Sequence, residues 1–266
     1  MLRAMSETSP PDKPASGPAP DGQEGQWFGF RPVDPDAKSG LVRAVFDSVA
    51  GKYDLMNDLM SGGIHRLWKD TLIGMVDPQP HQTLLDVAGG TGDIAFRFLN
   101  RGGGRVVVCD ITEAMLRVGR DRAVDRGLLT GLNWVVGDAM RLPVAPRSVD
   151  TYTIAFGLRN VTHIDEAIAE ARRVLKPGGK LFILEFSTVV LPVLKEIYDV
   201  YSFQVLPKLG RLVAGDADSY QYLVESIRRF PDQAALAKRM EAAGFASVRV
   251  RNLSGGIAAI HSGWRV

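Results

Sequence analysis

Two carboxylates bracket a glycine-rich turn in the stretch LLDVAGGTGD, residues 84–93: Asp86 before the glycines and Asp93 after them. Within it, GTGDIA (residues 90–95) satisfies the pattern G-x-G-x-x-A, and Asp110 closes the next apolar run 18 residues after Gly92. Glycines at this spacing let a backbone turn sharply and approach a ligand closely, while an acid at the end of the second strand is placed to grip ribose hydroxyls. Taken alone the pattern permits a nicotinamide dinucleotide, and it also permits a turn that merely packs a helix on a strand. The charges separate the ligands. Carboxylates beside a pyrophosphate repel it, whereas S-adenosylmethionine carries no phosphate and brings an ammonium and a sulfonium. Asp86 and the turn glycine Gly90 are therefore candidate cofactor residues, with Asp110 as the ribose partner. A further acid, Asp138 in VVGDAMRLP, follows the third apolar run beside Ala139, where an adenosylmethionine pocket commonly meets the adenine.

Such a turn works only if a strand ends and a helix begins there. From Thr83 onward, apolar runs alternate with helical patterns, the signature of a parallel sheet covered on both faces. The expected strands are TLLDVA, RVVVCD, LNWVVGD, VDTYTIAF and KLFILEF, followed by a closing hairpin in SVRVRNLSGGIAAIHSGWRV that turns through Gly255 and Gly256. Ile164, Ile168, Ala171 and Leu175 recur at helical spacing in IDEAIAEARRVLKPGG, with Pro177, Gly178 and Gly179 as the stop. PDQAALAKRMEAAGF reads as a helix capped by its Asp. The fold class is thus α/β, Rossmann-like, a mostly parallel seven-stranded sheet with helices on both faces. The expected organisation is a disordered leader over 1–37 and one domain over 38–266. That domain divides into a helical lid (38–82), a cofactor core (83–187), a helical substrate cover (188–230) and a closing helix with hairpin (231–266).

Composition narrows the function classes. A chain that is 45% hydrophobic and 23% charged can bury a core, and a net charge of +2 with no dense Lys/Arg block argues against nucleic acid as a partner. Cys109 is the single cysteine, and the four histidines show no metal-ligand spacing, so neither a disulfide within the chain nor a metal site is expected. No apolar run reaches the ~18 residues needed to span a bilayer, so any membrane contact would be peripheral. The Pro/Ser-rich start carries Glu7, Asp12, Asp21 and Glu24, unlike an acid-poor transit peptide, which favours a bacterial cytoplasm.

Six segments carry a more specific likeness: KYDLMNDLMSGGIHRLWK, DVAGGTGD, FGLRNV, RVLKPGG, LEFS and DADSYQYLVESIRRFPDQ. In this order they resemble the UbiE family, the C-methyltransferases of ubiquinone and menaquinone biosynthesis, from about Val42 to the C-terminus. The resemblance implies methyl transfer from S-adenosylmethionine to a ring carbon of a polyprenylated benzoquinol or naphthoquinol. It matches Thr91, Asp110, Asp138 and Ala139 to cofactor contacts and places the pair Arg159 and Asn160 at the acceptor. One position departs: Ala155 stands before FGLRN where many members have Ser. A carbon ortho to a phenolic oxygen attacks a sulfonium methyl once that oxygen loses its proton, and a free phenol titrates near ~10. Arg159 is expected to stabilise the phenolate and Asn160 to orient it. Water, His65, His163 or an acid takes the proton. The segment STVVLPVLKEIYDVYSFQVLPKLGRLV reads either as a packed cover or as a surface for the polyprenyl tail at the inner membrane. A quinone-biosynthesis complex, a scaffolding role and a homo-oligomer stay open as associations.

Overall fold

The computed structural model describes residues 27–49, 57–58, 61–190 and 217–266. A two-stranded ribbon, β1 (Trp27–Phe28) and β2 (Arg31–Pro32), precedes helices α1 (Pro35–Val49) and α2 (His65–Val76). Strands and helices then alternate: β3 (Thr83–Val87), α3 (Asp93–Asn100), β4 (Arg105–Asp110), α4 (Glu113–Asp125), β5 (Leu132–Val136), β6 (Val149–Ala155), α5 (Ile164–Val174) and β7 (Leu175–Phe186). After these come α6 (Ala217–Arg229), α7 (Gln233–Ala242), β8 (Phe245–Leu253) and β9 (Ala258–Arg265). Among the described residues, seven strands form one sheet in the order β5-β4-β3-β6-β7-β9-β8. The first five pair in parallel, and β9 runs antiparallel to both of its neighbours.

The sequence makes this sheet because its central strands are apolar on both sides. Leu84, Leu85, Asp86 and Val87 of β3 are all buried, as a strand between two helical layers requires. Leu84, Val106, Phe182, Leu184 and Phe186 face one layer with Trp68, Leu72 and Phe98, while Leu85, Tyr152, Ile154, Leu181 and Ile183 face the other with Ile164, Ile168 and Met240. That division is the period-two alternation of a strand. Helix α5 buries Ile164, Ala167, Ile168, Ala171 and Val174 along one stripe, and α7 starts at Asp232, whose carboxylate accepts the Ala235 N–H at 2.8 Å.

The junction at Lys-Pro-Gly-Gly differs from the sequence expectation. Leu175 does not continue the helix but is already extended and pairs with Val149, so Pro177, Gly178 and Gly179 lie inside the long strand β7 as a register shift before Lys180 pairs with Thr151. Pro177 bars Lys176 from helical backbone. Gly178 takes φ +78°, and a Cβ on Gly179 would stand 2.9 Å from the Lys176 carbonyl oxygen, so the irregularity needs both glycines. The closing hairpin turns through Gly255 and Gly256. The leader expected over 1–37 ends too late, since Trp27–Phe28 and Arg31–Pro32 pair as β1 and β2 and α1 begins at Pro35; residues 1–26 of that leader, 50–56 and 59–60 of the lid, and 191–216 of the cover lie outside the described residues.

Candidate active site

Strand β3 pairs with β4 on one side and β6 on the other, so successive connections leave the sheet in opposite directions there. Open parallel sheets hold ligands outside the carboxyl ends of the strands at such a point. The backbone is forced open at that place. Ala88, just past β3, has φ +49° and Phe156, just past β6, has φ +59°. Each left-handed non-glycine residue costs about 1–3 kcal/mol, which the packing around it must offset. Gly157 lets the two strand ends meet, since a Cβ there would fall 2.4 Å from that of Ala88. The result is a cleft of about 730 Å³, open to solvent.

One half of the cleft is built by the turns after β3, β4 and β5: Gly90, Asp110, Thr112, Met115, Asp138 and Ala139. Gly90 has φ +54°, and an added Cβ would reach 3.1 Å from the Met115 methyl, so a side chain there would intrude on the cradle. Asp110 ties two turns together by accepting the Gly90 N–H on Oδ2 and the Thr112 N–H on Oδ1, each at 2.8 Å. Burial pushes its carboxyl up, and these backbone donors oppose the rise. The Thr112 hydroxyl and the Ile111 N–H also point at this carboxylate, so it is held rigidly at the edge of the cleft. Asp138 accepts the Met140 N–H at 2.9 Å, which fixes the turn that presents Ala139. No Lys, Arg or His lines this cleft among the described residues. Carboxylates without a counter-cation do not fit a pyrophosphate, and they fit a phosphate-free cofactor bearing positive charge.

The other half is closed by Ser39, Val42 and Phe46 of α1 together with Phe156, Asn160, Val161 and Thr162. Asn160 ends the short 3₁₀ turn Leu158–Asn160. Its Oδ1 accepts the Tyr222 hydroxyl at 2.9 Å, which leaves its amide N–H groups as the available donors.

Arg159 lies elsewhere. Its side chain is 2% exposed and its Nη1 donates to Glu185 at 2.8 Å and to the Phe156 carbonyl, and it does not line the cleft. Glu185, also 2% exposed, takes the Arg159 and Phe186 backbone N–H groups as well. Burial pushes its carboxyl up, and the Arg159 guanidinium leads the opposing effects. The guanidinium therefore clamps the turn that carries Asn160.

The two acids flanking the glycines also part company. Asp86 is buried beneath the turn, its Oδ1 accepting the Thr153 hydroxyl at 2.8 Å, while its Oδ2 has no hydrogen-bond partner. Burial pushes its carboxyl up to about 7. Asp93 does not share the role expected of it with Asp86. Burial raises it, but the Lys69 ammonium at 2.9 Å and the Arg97 guanidinium at 3.0 Å outweigh that and hold it at about 2, so its charge is spent within the protein. Thr91 is buried and accepts from Arg122 at 3.0 Å, and Ala155 does not line the cleft. His65 is buried against Asp58 at 2.8 Å, outside the cleft.

The model of the ubiE/COQ5 methyltransferase family matches residues 34–265. The chain belongs to that family. Among curated relatives, the ubiquinone/menaquinone biosynthesis C-methyltransferase UbiE of Paracoccus denitrificans is 58% identical over 248 residues, covering 93% of this chain and 99% of its own length. That of Cereibacter sphaeroides is 58% identical over 240 residues, covering 90% and 96%. Solved structures share the fold. A SAM-dependent methyltransferase from Thermotoga maritima superposes with a TM-score of 0.60 at 18% identity, over 85% of this chain and 100% of that one. One from Aquifex aeolicus gives 0.57 at 18%, over 83% and 98%. The α1 wall falls within the helical lid expected over 38–82, whereas the Lys69 partner of Asp93 and Tyr222 behind Asn160 were not foreseen from the sequence. The only trace of them in the sequence is that Lys69 and Tyr222 fall inside the segments that carried the family likeness.

Proposed function

We infer that this protein transfers a methyl group from S-adenosylmethionine to a ring carbon of a polyprenylated benzoquinol or naphthoquinol, in ubiquinone or menaquinone biosynthesis. The observation that carries this reading is a single cleft whose carboxylate half lacks any basic side chain and whose other half is aromatic and aliphatic around one amide. It agrees with the names of relatives that match nearly end to end. S-adenosylmethionine supplies an electrophilic methyl. Asp110 accepts from the ribose hydroxyls, Gly90 allows close backbone approach, and Asp138 with Ala139 borders the base. Asp86 lies beneath the turn and does not line the cleft, so its part in the site is indirect, through the Thr153 hydroxyl that ties β3 to β6.

On the acceptor side, Phe46 and Phe156 offer faces to a planar ring, and Val42 and Val161 exclude water. Asn160 then donates to the phenolic oxygen, and a fixed donor at that oxygen stabilises the negative charge that makes the ortho carbon nucleophilic. Ser39 and Thr162 provide the remaining hydroxyls at that end. Arg159 contributes by holding the 3₁₀ turn, and so acts through Asn160. Because a polyprenyl tail does not dissolve in water, the reading includes peripheral contact with the cytoplasmic face of the membrane that holds the quinol. No described helix is long and apolar enough to cross it.

The test is methyl transfer from isotope-labelled S-adenosylmethionine to reduced demethylmenaquinone and to reduced 2-methoxy-6-polyprenyl-benzoquinone, assayed separately in detergent. Label on a ring carbon of either is the expected result, and cofactor binding with no label on both refutes the acceptor class. Asp110→Asn should weaken cofactor binding about 10- to 100-fold, since an amide cannot accept from both Gly90 and Thr112 and a charge-assisted bond contributes about 1.5–3 kcal/mol.

A further inference from the structure

Behind the 3₁₀ turn lies a second, smaller pocket, partly open to solvent and lined by Trp27, Lys38, Arg159, Tyr222, Ser226 and Arg229 among others. Its walls are unusual in what they leave unpaired. The Trp27 Nε1, the Arg159 Nε, and the Nε and Nη2 of Arg229 are all buried without a hydrogen-bond partner. Each is a donor with no acceptor function, and a buried N–H left unsatisfied costs about 1–3 kcal/mol, more on a charged group. Four such atoms on three residues around one cavity are not explained by packing.

Charge points the same way. Arg229, 7% exposed, ends α6, where the helix dipole favours a cation. Its guanidinium carbon lies 3.9 Å from the Trp27 ring centre and 5.6 Å from that of Phe30, so it is stacked yet not bonded at its edge. Lys38 is 3% exposed and donates to the Val161 carbonyl at 3.1 Å, adding a third positive charge. No Asp or Glu lines the cavity among the described residues. Glu185 is engaged by Arg159 and two backbone N–H groups. Glu225 faces the β1–β2 turn, accepting the Phe30 N–H at 3.0 Å and the Gln221 amide at 2.8 Å. Burial lowers the Arg229 pKa, and the neighbouring Glu225 carboxylate, which makes no hydrogen bond to it, opposes that shift only in part.

We propose that this cavity is an anion site, separate from the cofactor cleft, that takes one phosphate-sized oxyanion between the edges of Arg229 and Arg159 and the Trp27 N–H. The anion supplies acceptors for donors that have none, and the Arg edge is shaped for a phosphate. Tyr222 belongs to both places, as a wall of this cavity and as the donor to Asn160 of the cleft. Occupancy therefore stiffens the support of Asn160. The site does not depend on the identity of the methyl acceptor.

The experiment is thermal unfolding of the full chain titrated with sodium phosphate against sodium chloride at matched ionic strength, with and without saturating S-adenosylhomocysteine. Phosphate should raise the melting temperature saturably and in both series, the folding constant rising about 100-fold once phosphate stands at 100 times its Kd. Phenyl phosphate distinguishes the source. A shift with inorganic phosphate alone assigns a free anion, and a shift with both assigns the phosphate of a monoester. Arg229→Met should abolish the response while leaving the phosphate-free protein at least as stable, because it removes unsatisfied donors. Trp27→Phe keeps an aromatic ring beside Arg229 while removing the N–H along with part of the indole, and should weaken phosphate several-fold. Equal curves in phosphate and chloride, a response retained in both variants, or one erased by S-adenosylhomocysteine would each overturn the proposal.

Discussion

Arg159→Met, made alone and together with Glu185→Gln, separates a guanidinium that acts on the acceptor from one that holds the protein together. Both side chains of the pair are 2% exposed and 2.8 Å apart. Removing one member of a buried pair strands the other charge, at about 3–5 kcal/mol. For a chain of this size that corresponds to roughly 6–20 °C in melting temperature. The loss should depend on pH. Burial already pushes Glu185 above its ordinary value of 4.5, and Arg159 leads the effects that hold it down. Without Arg159 the carboxyl rises further. A folded-state pKa above the unfolded one favours the folded state below the unfolded value and loses that benefit as pH rises through the folded value. The single variant should therefore lie close to the parent at pH 4 and fall furthest behind at pH 8. With Gln at position 185 nothing titrates there, so the double variant should recover most of the stability and show a flat difference. The assay is urea unfolding of the three proteins from pH 4 to 8, with methyl transfer measured below the lowest midpoint. A single variant as stable as its parent at pH 8, or a double variant no better than the single, refutes the clamp. If activity fails to return along with stability in the double variant, the guanidinium acts on the acceptor directly.

Two further outcomes follow from the same geometry. Tyr222→Phe removes the hydroxyl that fixes Asn160 but keeps the ring stacked on Phe28, with centroids 4.0 Å apart. Stability should fall by only about 1 kcal/mol and kcat should drop with cofactor affinity unchanged, whereas weaker cofactor binding at constant kcat would contradict the assignment. Asp86 has a carboxyl raised from 3.8 to about 7 by burial, so its contribution is present below about pH 4 and lost as pH rises through 7. Asp86→Asn should abolish that slope, gaining up to ~4 kcal/mol relative to the parent between pH 4 and pH 8, and parallel urea profiles would refute it.

What the sequence determined by itself was local or periodic. An apolar run ending in Asp86, a turn that needs Gly90 and Gly92 in left-handed backbone, and an acid ending the next strand are contiguous patterns. Backbone sterics and strand alternation fix their meaning. That is why β3, β4 and β6, the Asp232 cap and the cleft positions Gly90, Asp110 and Asp138 with Ala139 were legible in it, while Asn160 came with the family likeness. The Lys-Pro-Gly-Gly stop was misread because strand pairing with β6 extends Leu175, a choice made by a neighbour 26 residues away. Only the tertiary structure decided how the charges are shared out. Arg159 meets Glu185 because β6 and β7 lie side by side. Asp93 meets Lys69 across a separation of 24 residues, and Asn160 meets Tyr222 across 62. A charge or an amide written in the sequence states what a side chain can donate or accept. Which partner uses it is settled by packing, because a buried polar group must take the complement that the fold brings within about 3 Å.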